Sequence, residues 1–271
     1  PELYLKRLVV GGSGPVYELG RDFRNEGADA THNPEFTVLE AYRPYADYVQ
    51  MRELTERLIK DAAQAVFGSV SLPLGRKASS ERVVRDVSGP WRVVSVCDAL
   101  SEALGRRVDV QTDFEELLAL AQQHGVRVHE GMGPGAIVEE LYGELVEVHT
   151  VEPTFYTDFP AETSPLAAPH RSVPGLAERW DLVINGMEMG CAYSELADPL
   201  VQRERLTEQS LKAASGDLEA MEVDEDFLYA LETGMPPTGG LGLGVDRLVM
   251  LLAQTQIRGV WSFPFVKPER S

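Results

Sequence analysis

Trp180-Asp181-Leu182-Val183-Ile184-Asn185-Gly186-Met187-Glu188-Met189-Gly190 is the stretch on which the fold turns. Asn-Gly tolerates the positive φ angles that a two-residue turn between antiparallel strands demands. Its apolar-rich flanks, Trp180–Ile184 and Met187–Tyr193, therefore read as a hairpin. With that turn, Ile184 faces Met187, Val183 faces Glu188 and Asp181 faces Gly190. Asp181 and Glu188 then share one face as diagonal neighbours, roughly 7–8 Å apart at the backbone. Two carboxylates so placed either converge on a hard cation or stand solvated on an exposed face. Glu195, further along, falls by strand parity on the other face unless the strand ends or bulges first.

Working outward, Thr154–Phe159 supplies another strand. Asp198-Pro199 is an N-cap with Pro at the first helical position, opening a helix to about Ser215. A shorter helix spans Asp224 to Gly234, and the glycine-rich strand Gly239–Gly244 runs into a helix from Val245 to about Ala253. Towards the N-terminus, Ser95–Val148 is helical in three pieces, the first two stopped by Gly105 and Gly125. Thr112 and Glu115 form the capping-box signature of the second piece. This tract, a helical insertion at about residues 90–148, is expected to carry little chemistry of its own. Residues 69–90 read as loop with some strand. Asp47–Phe67 is an amphipathic helix with Met51, Leu54, Leu58, Ala62 and Ala65 on one stripe. Tyr17–Glu26 and Phe36–Tyr42 read as strands around a polar loop, while Pro1–Val10 fits either a helix or a strand. Hairpins interleaved with helices predict an α+β fold built on an antiparallel β-sheet with flanking helices.

Composition narrows the function classes. Among 271 residues, 43 acidic and 25 basic side chains leave a net charge of −18. That argues against a broad basic face for gripping nucleic acid, though local cations can still meet a nucleotide. Two cysteines, Cys97 and Cys191, are too few for a zinc cluster and point to a reducing compartment. No apolar run approaches the ~20 residues of a membrane span, and no signal peptide opens the chain. The expectation is a cytoplasmic segment without membrane contact. The sequence opens at Pro1 rather than Met and is read as part of a longer protein.

Three constellations carry possible chemistry. In the first, strand period two puts Arg24 and Glu26 on one face, and Phe36, Val38, Glu40 and Tyr42 on one face. An Arg fork for phosphate or carboxylate, a Phe to stack a base, and Glu with Tyr to hold an ammonium would make a ligand floor. The alternative is a salt-bridged, half-exposed hairpin. The second is the Asp181/Glu188 pair. The third is Gly239-Gly240-Leu241-Gly242-Leu243-Gly244-Val245-Asp246-Arg247, where glycines allow close backbone approach. It lacks dinucleotide-fingerprint spacing and a βαβ setting, and strand packing explains it equally well.

The order of these pieces resembles a known family. Phe23-Arg24-Asn25-Glu26, the loop with His32-Asn33-Pro34-Glu35-Phe36, and the distant Gly240-Leu241-Gly242-Leu243-Gly244-Val245-Asp246-Arg247 resemble motifs 2 and 3 of class II aminoacyl-tRNA synthetases. Pro1-Glu2-Leu3-Tyr4-Leu5-Lys6-Arg7, Glu162-Thr163-Ser164-Pro165-Leu166 and Pro236-Pro237-Thr238-Gly239-Gly240 look like bacterial lysyl-tRNA synthetase. The wording around residues 158–198 resembles the synthetase half of bifunctional lysylphosphatidylglycerol synthetase/lysine–tRNA ligases. The likeness covers about residues 1–255. It implies one catalytic domain over 1–271, without motif 1 and the anticodon-binding barrel, acting as a homodimer.

The resemblance also implies an activity: ATP-dependent activation of lysine and transfer to tRNA(Lys), with Mg²⁺. Arg24 would bind the α-phosphate and the lysine carboxylate. Glu26 and Phe36 would hold adenine, His32 with its neighbour Asn33 would lie on the ATP side, and Arg247 would oppose His32 across the phosphates. Glu2 would sit near the lysine α-ammonium, with Glu40, Tyr42 and Glu195 around the ε-ammonium. Asp181 and Glu188 would hold Mg²⁺, Glu188 also meeting ATP. The sequence departs from the family at Asp181, where Glu is usual, and at Cys191, where Asn is usual. Two alternatives stand beside this one: lysylation of a protein such as elongation factor P, and a catalytically silent synthetase-like binding module.

Overall fold

A computed structural model describes residues 1–24, 32–75, 82–214 and 223–263. Glu26 lies outside these residues. Strands β1 (Val16–Phe23) and β2 (Glu35–Pro44), followed by helix α2 (Tyr48–Phe67), come after an N-terminal helix α1 (Glu2–Val10). The short hairpin β3 (Ser71–Leu74) and β4 (Val83–Asp86) forms a separate two-stranded sheet. Then come β5 (Arg92–Ser95), the helices α3 (Val96–Leu104), α4 (Phe114–His124) and α5 (Pro134–Leu145), and β6 (Thr154–Pro160). The C-terminal half comprises β7 (Leu176–Ile184), β8 (Met187–Ser194), α6 (Pro199–Ala214), α7 (Glu225–Gly234), β9 (Thr238–Gly244), α8 (Val245–Ala253) and α9 (Ile257–Val260).

The main sheet has the order β1-β2-β9-β8-β7-β6-β5. Every neighbouring pair is antiparallel except β5 with β6 at the edge. The α+β architecture expected from the sequence is therefore present. Helix α2 starts where a true capping box forms: the Asp47 side chain accepts from Gln50 N while Gln50 Oε1 accepts from Asp47 N. The capping box expected at Thr112 is displaced by one residue. Asp113 caps α4, accepting from Glu115 N, and Thr112 instead accepts from Asp109 N. An Asp beside a Thr is at least as good a cap, and here it wins.

Strand alternation divides the sheet into a dry face and a working face. Leu241 and Leu243 of β9, Ala192 of β8, and Trp180 and Leu182 of β7 pack with Met51, Ile59 and Ala63 of α2 and Leu251 of α8. On the opposite face, α3, α4 and α5 cover Tyr156, Phe159 and Val183 at one end. Leu5 and Val9 of α1, with Phe227, Leu228 and Leu231 of α7, cover Tyr42 at the other. Between these two covers, the middle of the working face stays open.

Candidate active site

That opening is a cavity of about 340 Å³ over β2, β9 and β8. Its lining includes Glu2, Arg24, His32, Asn33, Phe36, Glu40, Tyr42, Glu188, Glu195 and Arg247. Residues separated by more than two hundred positions in the chain thus converge on one face. The floor is the glycine side of β9. At Gly242 a Cβ would meet nothing within 4 Å, so the missing side chain is space for a ligand. At Gly240 a Cβ would lie 1.7 Å from Glu195 Oε1 and 2.7 Å from the Tyr42 ring, so glycine is what lets these two groups reach the floor.

The Asn185-Gly186 turn forms with φ of 57° and 70°, as a two-residue hairpin requires. Ile184 faces Met187 and Val183 faces Glu188, as expected, but Asp181 pairs with Cys191 rather than Gly190. The register shifts between Leu182 and Val183, leaving Met189 as the extra residue of a bulge. The bulge resets parity. Cys191, Tyr193 and Glu195 turn to the cavity along with Glu188, which resolves the parity objection to Glu195.

One end of the cavity is cationic. The Arg24 guanidinium lies 5.4 Å from the centre of the Phe36 ring. Arg247 donates to the backbone oxygen of Glu188 at 2.7 Å and lies 3.2 Å from His32 Nε2. It is carried by α8, whose first turn is tied down by Asp246 accepting from Thr37 N at 2.8 Å. Asn33 donates to the Glu35 backbone oxygen at 2.6 Å and so holds the loop end.

The other end is acidic. Tyr42 donates to Glu40 Oε2 at 3.1 Å. Burial, with the Glu2 charge beside it, holds the Glu40 carboxyl above its ordinary range. Glu195 is buried and pushed up to about 7, by burial first and by the charges of Glu2 and Glu40, with Lys6 acting in the opposite sense. Lys6 of α1 lies between Glu2 and Glu195, its ammonium 2.6 Å from an oxygen of each. The residue readings did not single it out, yet its spacing four after Glu2 on a helix was the available signal.

Mg²⁺ is the group the resemblance implies here, and the two carboxylates differ in their fit. Glu188 opens to the cavity with its side chain 39% exposed, 3.8 Å from Arg247. Asp181 is buried behind it. Both its oxygens accept from Arg179, at 3.0 and 2.8 Å, and burial with the Glu188 charge pushes its carboxyl up to about 7, against the pull of Arg179. Among the described residues no group of three metal-ligating side chains gathers. The donor set therefore suits a cation that takes most of its oxygens from phosphate and water. Arg179 also pairs with Glu139 of α5 at 2.9 Å, so the helical insertion braces this corner. Two positions, Arg179 and Asp181, on the same strand face were the sequence signal for that pair.

Comparison with known proteins gives the family. Residues 1–267 match the family described as tRNA synthetases class II (D, K and N). The lysylphosphatidylglycerol biosynthesis bifunctional protein LysX of Nocardia farcinica is 56% identical over 269 residues, 99% of this chain and 24% of that protein. LysX of Mycobacterium tuberculosis H37Rv is 54% identical over 274 residues, 99% of this chain and 23% of that protein. The chain thus spans about a quarter of the length of these relatives. No helix among the described residues is long and apolar enough to cross a membrane. With nearly every residue matched, and with the glycine floor and the two motif arginines meeting in one cavity, this chain belongs to the class II tRNA synthetases.

Proposed function

We propose that this domain activates lysine with ATP, forming lysyl-adenylate, and delivers the lysyl group to tRNA(Lys). The observation that carries this reading is the polarity of the cavity: Arg24, His32 and Arg247 at one end, Glu2, Glu40, Tyr42 and Glu195 at the other. A triphosphate needs the first set and a diammonium amino acid the second.

In this reading a lysine carboxylate oxygen attacks the α-phosphorus in line. A new P–O bond forms as the bond to the β-phosphate oxygen breaks, and pyrophosphate leaves with that electron pair. No protein nucleophile is consumed. Arg24 neutralises the charge shared by the carboxylate and α-phosphate, and Arg247 with His32 steadies the distal phosphates. The protein supplies orientation and preorganised charge. Mg²⁺, when bound with ATP, neutralises phosphate charge. Glu188 would hold it, with Asp181 contributing from behind when Arg179 yields an oxygen. Phe36 gives adenine a stacking plane.

The relatives' names assign them to lysylphosphatidylglycerol biosynthesis, which would consume a lysyl product, so a lipid as final lysyl acceptor fits this reading. Lysine-dependent exchange of pyrophosphate into ATP tests the activation step. Exchange that depends on lysine supports it. Nucleotide binding without exchange favours a silent binding module, while exchange with transfer to a protein rather than to tRNA(Lys) favours the protein-lysylation reading.

A further inference from the structure

Three carboxylates, Glu2, Glu40 and Glu195, line the acidic end of the cavity, and one lysine would bring two ammonium groups to them. The balance is struck by a side chain that does not line the cavity. Lys6 is 2% exposed, with its ammonium 2.6 Å from Glu2 Oε1 and 2.6 Å from Glu195 Oε2. Around it stand the rings of Tyr42 and Phe227, each with its centre 5.9 Å from the ammonium. Water is excluded on those sides, so the ammonium depends on the two carboxylates for neutralisation.

We infer that Lys6 is a positioning and specificity-determining residue, an internal counter-ion that fixes Glu2 and Glu195 relative to each other and leaves the acidic end, once its three carboxyls are ionised, with two net negative charges, matched to one diammonium amino acid. This rests on the proposed activation of lysine.

Geometry and charge agree on the role. Glu2 and Glu195 are far apart in the chain, one on α1 and the other just beyond β8, and Lys6 joins them. Glu195 Oε2 meets the Lys6 ammonium at 2.6 Å, and a carboxylate has lone pairs beyond that one contact, so capacity remains for a ligand. Glu195 Oε1 occupies the space that a side chain at Gly240 would fill, so glycine there is what admits the carboxylate. The charges facing Glu195 are Lys6 and Glu2 from α1 and Glu40 from β2, with the Tyr42 phenol beside them. Lys6 is the one cation in that set. Without it, three carboxylates crowd a buried site, and Glu195 keeps its proton to higher pH.

The test compares Lys6→Met, Glu195→Gln and the double variant in the full-length protein, following lysine and ATP KM in pyrophosphate exchange from pH 6.5 to 9. Lys6→Met should raise the lysine KM roughly tenfold at pH 7 and leave the ATP KM within about twofold, and the defect should shrink as pH rises and Glu195 ionises. The double variant should be no weaker for lysine than Glu195→Gln alone, because the two residues act through one contact. It also removes both members of the buried pair, so it serves if Lys6→Met, left with unneutralised carboxylates, does not fold. An unchanged lysine KM and pH profile, equal losses for lysine and ATP, or full addition of the two single losses would each overturn the role of Lys6. A parent protein that shows no lysine dependence overturns the lysine reading itself, and the inference with it.

Discussion

Glu195 shows how much one side chain can be asked to do. It is buried, faces Lys6, and shares its end of the cavity with Glu40 and Tyr42. A charge-assisted hydrogen bond to a ligand ammonium is worth ~1.5–3 kcal/mol. Glu195→Gln should therefore weaken lysine activation by roughly ten- to a hundredfold while leaving the ATP KM near its parent value. Steady-state exchange kinetics read both numbers, and an unchanged lysine KM would remove Glu195 from the site. Phe36 makes the complementary case at the nucleotide end. Its ring already carries the Arg24 guanidinium at 5.4 Å, so it offers a flat face to a planar partner. Phe36→Ala should weaken ATP binding by ~1–3 kcal/mol, by analogy with base stacking on aromatic side chains. Calorimetric titration with a non-hydrolysable ATP analogue checks it; equal affinity would make Phe36 a packing residue.

At the scale of elements, the glycine strand β9 and the bulged hairpin decide what reaches the cavity. Gly242 and Gly240 are two residues apart on the same face but should respond differently to a side chain. Gly242→Val projects into open space, so the melting temperature should hold within a few degrees while both KM values rise. Gly240→Ala would drive into Glu195 and Tyr42, and should cost stability as well as lysine affinity. Paired thermal melts and exchange kinetics separate the two, and a destabilised Gly242→Val would mean the floor is packed rather than open. The same elements show what a sequence reveals. Asn185-Gly186 announces its hairpin because positive φ at two successive residues selects those side chains, and Val245–Ala253 announces its helix by its apolar stripe. The bulge at Met189 has no such signature. It is one residue too many between two ladders, visible only once β7 and β8 are paired, and on it hangs the orientation of Cys191, Tyr193 and Glu195. The Asp181–Arg179 pairing was within reach, since residues two apart on a strand share a face, but the third member, Glu139, comes from a helix forty positions away.

On the scale of the whole molecule, the cavity is a place where stability gives way to binding. In the ligand-free protein Glu195 and Asp181 are both pushed up to about 7, in each case chiefly by burial, whereas in an unfolded chain they ionise near the ordinary ~4. Between about pH 4 and 7 the native state therefore holds more protons than the unfolded state, and stability falls as pH rises through that window. Glu178 runs the other way: Arg171 and Ser194 hold its carboxyl below its usual range in spite of burial, so its contribution is present above the ordinary Glu value and is lost only as pH falls below it. The two trends meet in the acid range, and above it Glu195 and Asp181 dominate. Bound lysine reverses the first trend at Glu195, because an ammonium pairs with the ionised carboxyl and drives off its proton. The melting temperature of the free protein should accordingly drop from pH 5.5 to 8, while the upward shift produced by saturating lysine should grow over the same range. Glu195→Gln should flatten both curves, and Asp181→Asn should flatten only the first. Scanning calorimetry across that pH series, with and without lysine, tests all four statements together. A lysine-induced shift that shrinks with rising pH would place the titrating group on the ligand side of the contact and not on Glu195.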